Sequence, residues 1–279
     1  MKLLRSLAVA LALGTSTYAH AGNVLIVLSD SNRLDLKDGK VFKTGFYLNE
    51  LMQPVKALLD AGHEITFATP KGTVPSVDVT SIDKMYFGGD ETAMKASEAQ
   101  LSELGLMSSD KSPVISLARV GQIGYDHFDA VYVPGGHAPM QDLLVSSDLG
   151  KLLTYFHENG KTTALACHGP IALLSTLPDA QEFVAKFETA GTAKAQTDWI
   201  YAGYKFTVFS NREEEMAKGL LNGGEMKFYP QDALTKAGGE FSQANAPFDG
   251  HVVMDRELIT GQNPASALAV AHELLNRLK

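Results

Sequence analysis

The sequence predicts one α/β domain built on a parallel sheet, and three observations lead there. Strand-like apolar runs alternate with helically spaced ones from residue 23 onward. The first strand–helix–strand unit closes within residues 23–69, the size of a parallel crossover. Two later runs, "FDAVYVPGG" and "TTALACHGP", each end in a sharp turn at the carboxyl end of a strand, where open α/β sheets build their sites.

The elements follow in order. "NVLIVLS" (23–29) is continuously apolar and β-branched, which suits a strand buried on both faces. A polar loop over 30–44 follows. "GFYLNELMQPVKALLDAG" (45–62) places Leu48, Leu51, Met52, Val55, Leu58 and Leu59 at helical spacing and ends at Gly62. "HEITFAT" (63–69) is the next strand. Residues 71–127 are less regular, with one helix near 91–104, and read as a cap inserted on the sheet. Strands are predicted at 128–136 and 162–166, a helix at 148–159, and a helix start at 170–176. Residues 204–210 and 251–255 are further strand candidates. Residues 263–278 form a final amphipathic helix, with Asn263 as its cap and Pro264 in its first turn. Nothing between these elements has the composition of a linker, so residues 22–279 make one domain.

The totals fit a globular chain. Of 279 residues, 45% are hydrophobic and 20% charged. The formal charge of −8 argues against a nucleic-acid surface. The N-terminus carries Lys2 and Arg5, an apolar run over 7–13, and Ala19-His20-Ala21. That order predicts a leader over residues 1–21, cleaved at about Ala21, and a periplasmic or secreted mature protein. The run is too short for a membrane span.

Cys167 is the single cysteine, so it makes no internal disulfide and is buried and inert, or pairs with another molecule, or is reactive. It stands at the carboxyl end of "TTALA", before Gly169 and Pro170. A strand–nucleophile–helix turn exposes its side chain at a helix N-terminus, where a thiolate is favoured and the pKa falls below ~8.5. An ordinary strand end would not need so strained a turn. His168 is the adjacent base candidate. Gly135 and Gly136 end another strand and offer backbone N–H groups to an oxyanion, beside the N–H of His168; a plain tight turn is the other reading of the pair. Glu50 lies on the first predicted helix. Pro54 cannot donate to the carbonyl four residues back, which predicts a kink or loosening at Glu50. Taken alone, Glu50 reads as a solvated helix carboxylate.

Four stretches, "GFYLNELMQPVKALLDAGHEITFATPKG", "FDAVYVPGGHAPMQDL", "ALACHGPIALL" and "TGQNPASA", together resemble the ThiJ/PfpI superfamily (class I glutamine amidotransferase-like). The nearest branch is the glyoxalase III and heat-shock-chaperone-like one. The resemblance implies a flavodoxin-like α/β sandwich with Cys167 as nucleophile, His168 as its partner and Glu50 as the acid on the thiol. A third triad acid should follow "KFTVFS"; "SNREEE" offers Glu213, Glu214 and Glu215, and motif position favours Glu213. His137, beside the glycine pair, is a candidate substrate contact. His127, His137 and His251 lack ligand spacing, so no metal is expected. No cofactor is expected either, since neither a phosphate loop nor a dinucleotide fingerprint is present. A homodimer is what such relatives often form.

The expected activity is a cofactor-independent glyoxalase converting methylglyoxal or a related 2-oxoaldehyde to a 2-hydroxy acid. The alternatives are an amidase, peptidase or deglycase using the same thiol, and a stress holdase whose cysteine senses oxidants.

Overall fold

Alternate residues of the first strand face two different cores. The computed structural model describes residues 21–196 and 198–279. Strand β1 (Asn23–Val27) turns Val24 and Ile26 toward Leu48, Leu51 and Met52 of helix α1 (Leu48–Asp60). Its Leu25 and Val27 pack on the other side. Both faces are covered, which is why the run is continuously apolar rather than alternating.

Six more strands complete the sheet: β2 (Glu64–Thr69), β3 (Ile115–Ser116), β4 (Ala130–Val133), β5 (Thr162–Ala166), β6 (Val252–Asp255) and β7 (Leu258–Gly261). Their spatial order is β6-β7-β5-β4-β1-β2-β3. All neighbours are parallel except the β6–β7 hairpin. Helix α1 and the C-terminal helix Ala267–Arg277 cover one face. Helix Ser147–Glu158 and the 3-10 helix Gly169–Thr176 cover the other. This is the flavodoxin-like sandwich. From β1 the chain runs to β2 and β3 on one side and to β4, β5 and β7 on the other. The crevice at the carboxyl ends therefore opens between β1 and β4. Glu50, Gly135 and Cys167 follow β1, β4 and β5 respectively, so all three meet there.

Several expectations change. Pro54 lies inside α1, yet the helix is continuous from Leu48 to Asp60. The carbonyl it orphans, that of Glu50, accepts a 2.6 Å hydrogen bond from the Tyr132 hydroxyl on β4. The polar loop 30–44 contains the hairpin Arg33–Asp35/Val41–Lys43. Only part of 71–127 stands above the sheet: Ile115–Ser116 is an edge strand, and Leu117 and Val120 of the next helix enter the core. Residues 204–210 contribute only Lys205–Phe206, paired with Glu240–Phe241 outside the main sheet. The leader read over 1–21 falls, apart from Ala21, outside the described residues. No helix among the described residues is long and apolar enough to cross a membrane. Nothing described supports a leader or the periplasmic location drawn from it, and both expectations are set aside.

Candidate active site

The turn after β5 holds Cys167. Cys167 has φ +55, a left-handed conformation costing a non-glycine residue about 1–3 kcal/mol unless its surroundings impose it. They do. The Cys167 N–H donates to the Gly261 carbonyl (2.9 Å), and the Phe209 N–H donates to the Cys167 carbonyl (3.0 Å). A Cβ on Gly169 would lie 2.4 Å from the Val133 carbonyl oxygen, so only glycine lets the helix leave the strand this closely.

The sharp turn folds His168 back onto its neighbour. Its Nδ1 lies 3.3 Å from the Cys167 sulfur, and its Nε2 lies 3.0 Å from Oε1 of Glu214. With an N–H on Nε2 donating to that carboxylate, Nδ1 is left as the acceptor facing the thiol. The ring also stacks on Phe209, centroids 4.8 Å apart and planes at 28°, which fixes its orientation.

Glu214, rather than the expected Glu213, is the acid that His168 contacts. Both lie at the start of helix Asn211–Ala217, whose cap is Ser210. Glu213 is the third helical residue and closes a capping box, accepting from the Ser210 N–H and hydroxyl. It also accepts from Gln262, Asn263 and the Phe248 N–H, at 2.8 Å each. Every direction it could turn is occupied. Glu214, one residue further around the axis, faces the elbow. The S-x-x-E pattern at Ser210 is the sequence signal that could have placed Glu213 in the cap. Glu215 is exposed and pairs with Tyr229 and Lys218.

Glu50 also reaches the sulfur. It is fully buried in the first turn of α1. Its Oε2 accepts the Gly135 N–H at 2.8 Å, and its carboxyl interacts with the Cys167 thiol. A Cβ on Gly135 would come within 2.6 Å of both the Cys167 Cβ and the Glu50 Oε2. The glycine is required by this approach, and its N–H is taken by Glu50 rather than offered to an oxyanion. The Gly136 N–H faces the sulfur instead. Gly136 has φ +84, and a Cβ there would overlap the Gly45 carbonyl oxygen. The His137 ring lies behind His168 at 4.2 Å, with Nε2 4.0 Å from Glu214.

Burial sets the charge states. It raises Glu50 to about 8 and Glu214 to about 7, and lowers His168 to about 3 and His137 to about 4. It also pushes the Cys167 thiol up, with an ionised Glu50 adding to the shift. The expectation of a thiolate favoured by the helix terminus is reversed: near neutrality the empty site holds a thiol, a protonated Glu50 and a neutral His168. His137, His168 and Glu214 also offer ligand atoms within 4.8 Å of one another. That grouping is invisible as sequence spacing. A metal held there would take the His168 nitrogen that Glu214 now holds.

Above the sulfur opens a cavity of about 690 Å³, walled by Tyr47, Tyr86, Phe87, Phe209 and Phe248 among others. Among the described residues lining it there is no Asp, Glu, Lys or Arg.

A parallel sandwich with a cysteine on a strained strand-to-helix turn, and an acid from the helix after the first strand, defines the class. Comparison with known proteins specifies it. A family model described as ThiJ/PfpI family-like matches residues 41–199, more than half of the chain, and the chain belongs to that family. It is 28% identical over 277 residues to a probable glutathione-independent glyoxalase, hsp3103, of Schizosaccharomyces pombe, covering 93% of this chain and 99% of the relative. It is 28% identical over 265 residues to the protein/nucleic acid deglycase HchA of Staphylococcus aureus, covering 92% of this chain and 81% of that one. The crystal structure of glyoxalase III from Candida albicans shares the fold with a TM-score of 0.67 at 22% identity, over 93% of this chain and 98% of the other.

Proposed function

We propose that this protein is a glutathione-independent, cofactor-independent glyoxalase that converts 2-oxoaldehydes to 2-hydroxy acids through Cys167. One observation carries the reading. Two proton-handling groups reach the sulfur: Nδ1 of His168, 3.3 Å away, and the carboxyl of Glu50, whose burial favours its protonated form. Acyl transfer needs one group to take a proton and return it to the leaving atom. Moving hydrogen between two adjacent carbons needs a base at one and an acid near the other.

The steps follow from that placement. The Cys167 sulfur bonds to the aldehyde carbon as its S–H proton passes to His168, whose charge Glu214 balances. The former carbonyl oxygen takes that proton back, giving a hemithioacetal. His168 then removes the hydrogen on the same carbon, while Glu50 donates to the neighbouring carbonyl oxygen, forming an enediol. His168 returns its proton to the second carbon while the hydroxyl on the first gives its proton to the Glu50 carboxylate, leaving a thioester with a 2-hydroxyl. Water attacks it as one of its protons passes to His168, the carbon–sulfur bond breaks, the sulfur takes that proton back, and the acid leaves. Substrate plus one water gives product, with no external oxidant or reductant.

The deglycase name of the staphylococcal relative supports a second use of the same thiol. The absence of charged side chains on the described cavity wall favours the glyoxalase, because adducts on lysine or arginine would bring a cation there without a partner. The test is lactate release from methylglyoxal without glutathione, beside Cys167→Ala and His168→Ala. Turnover lost in both variants supports the reading. A wild type that releases no lactate, while removing adducts from a glycated peptide, replaces it with the deglycase.

A further inference from the structure

The cavity is far more apolar than a three-carbon aldehyde requires. Met85, Met216, Leu220, Phe248 and Leu268 stand around its mouth, exposed by 68, 61, 43, 44 and 50%. They come from four separate segments: the turn Lys84–Phe87, the helical stretch 211–221, the loop before β6, and the C-terminal helix. Single exposed apolar side chains are ordinary on a protein surface, but their convergence on one opening marks a binding surface. Further in, Tyr47 and Tyr86 meet edge to face at 5.3 Å, and the Phe209 ring reaches down to His168.

Phe248 adds an independent observation. Its backbone has φ +65, which a bulky residue adopts only when held there. The hold is its own N–H, which donates to Oε1 of the buried Glu213. That clamp sets the half-exposed ring 6.2 Å from Phe209, over the path to the sulfur. The fold thus maintains a strained backbone whose local result is an apolar ring at the cavity mouth.

Resting on the glyoxalase reading, we infer that the substrates are 2-oxoaldehydes carrying a bulky apolar group, a medium alkyl chain or an aryl ring, on the ketone carbon. The aldehyde carbon meets the Cys167 sulfur. The apolar group lies outward against Tyr86, Phe248, Met216 and Leu268. The described wall has no charged group to recognise a carboxylate, phosphate or ammonium at the far end of the substrate. The reaction keeps the balance given above: substrate and one water yield the 2-hydroxy acid with its apolar group unchanged. Such aldehydes are products of reactions that oxidise or fragment lipid-like or aromatic chains, so this enzyme would act downstream of that class of chemistry.

The experiment compares 2-oxooctanal with methylglyoxal, following each 2-hydroxy acid under single-substrate conditions. The kcat/KM for 2-oxooctanal should exceed that for methylglyoxal by roughly a hundredfold, mostly through KM, since an apolar pocket gains at least roughly tenfold per well-placed methylene before the effect saturates. Met216→Ser and Leu268→Ser, both at exposed positions, should each lose several-fold more activity on 2-oxooctanal than on methylglyoxal. Met216→Leu should restore the preference. Equal kcat/KM for the two aldehydes in the wild type, with methylglyoxal turned over, would overturn the inference and leave the glyoxalase reading standing. Turnover of neither would overturn both. A preference for 2-oxooctanal that both serine variants leave untouched would also refute it, because the selectivity would then reside away from this mouth.

Discussion

Replacing Glu50 with Gln should make the protein more stable and far less active, with the stability gain growing with pH. In the fold, burial raises the Glu50 carboxyl from an ordinary 4.5 to about 8. The folded chain therefore holds this proton more tightly than the unfolded chain does. The sign follows from linkage: the group costs nothing below about pH 4.5, costs progressively more as pH rises, and reaches its full cost above about 8. Between pH 5 and pH 8 the difference comes to about 3 kcal/mol, from ~1.4 kcal/mol per unit of pKa. Gln keeps an oxygen for the 2.8 Å hydrogen bond from the Gly135 N–H and has no charge to bury. Urea unfolding of wild type and Glu50→Gln at pH 5 and pH 8 measures the double difference directly. Other titrating groups cancel because both proteins share them. On the proposed mechanism the same substitution removes the acid that donates to the ketone oxygen, so kcat should fall roughly 10²–10⁴-fold. Two stability curves that stay parallel from pH 5 to pH 8 would refute the reasoning, since Glu50 would then titrate alike in the folded and unfolded chains.

Four further substitutions test the rest of the site. Glu214→Gln should lower kcat at least roughly tenfold, because the His168 cation loses its counter-charge; Glu213→Gln should instead destabilise the fold by about 3 kcal/mol, measured by thermal or urea unfolding, because buried donors now face an amide. Tyr132→Phe should cost about 1–3 kcal/mol of stability by leaving the Glu50 carbonyl unpaired, and far less in a Pro54→Ala background, where residue 54 supplies the helical N–H; a double-mutant cycle reads that coupling. Gly135→Ala, whose Cβ would fall 2.6 Å from both Cys167 and Glu50, should abolish turnover even in protein that remains folded by circular dichroism.

What was legible in the sequence was whatever a residue declares through its immediate neighbours. The run 23–29, the helical spacing over 45–62 and the turn after residue 166 are local patterns, and each matches its element. The capping box at Ser210 was equally local but went unread, because motif position pointed to Glu213 as the triad acid. β7 escaped because "LITG" is only four residues long and fully buried, with no alternation to announce it. The remaining gaps are partnerships between distant segments. Tyr132 answers the carbonyl that Pro54 strands, 82 residues from Glu50 in the chain. The direction of the Cys167 shift has the same origin. A helix N-terminus is a local feature and argues for a thiolate, but the dominant influence is desolvation together with an acid supplied by α1. Local dipole and tertiary burial oppose each other at this sulfur, and burial wins. On the proposed mechanism the thiol is therefore held inactive until a substrate arrives and His168 takes its proton. A buried thiol of this kind should alkylate slowly with iodoacetamide at pH 7 in the empty enzyme. In Glu50→Gln the ionised-acid contribution disappears, so alkylation should quicken as kcat falls. Reactivity toward a simple electrophile and catalytic competence would then move in opposite directions, which a cysteine activated by the helix terminus alone would not do.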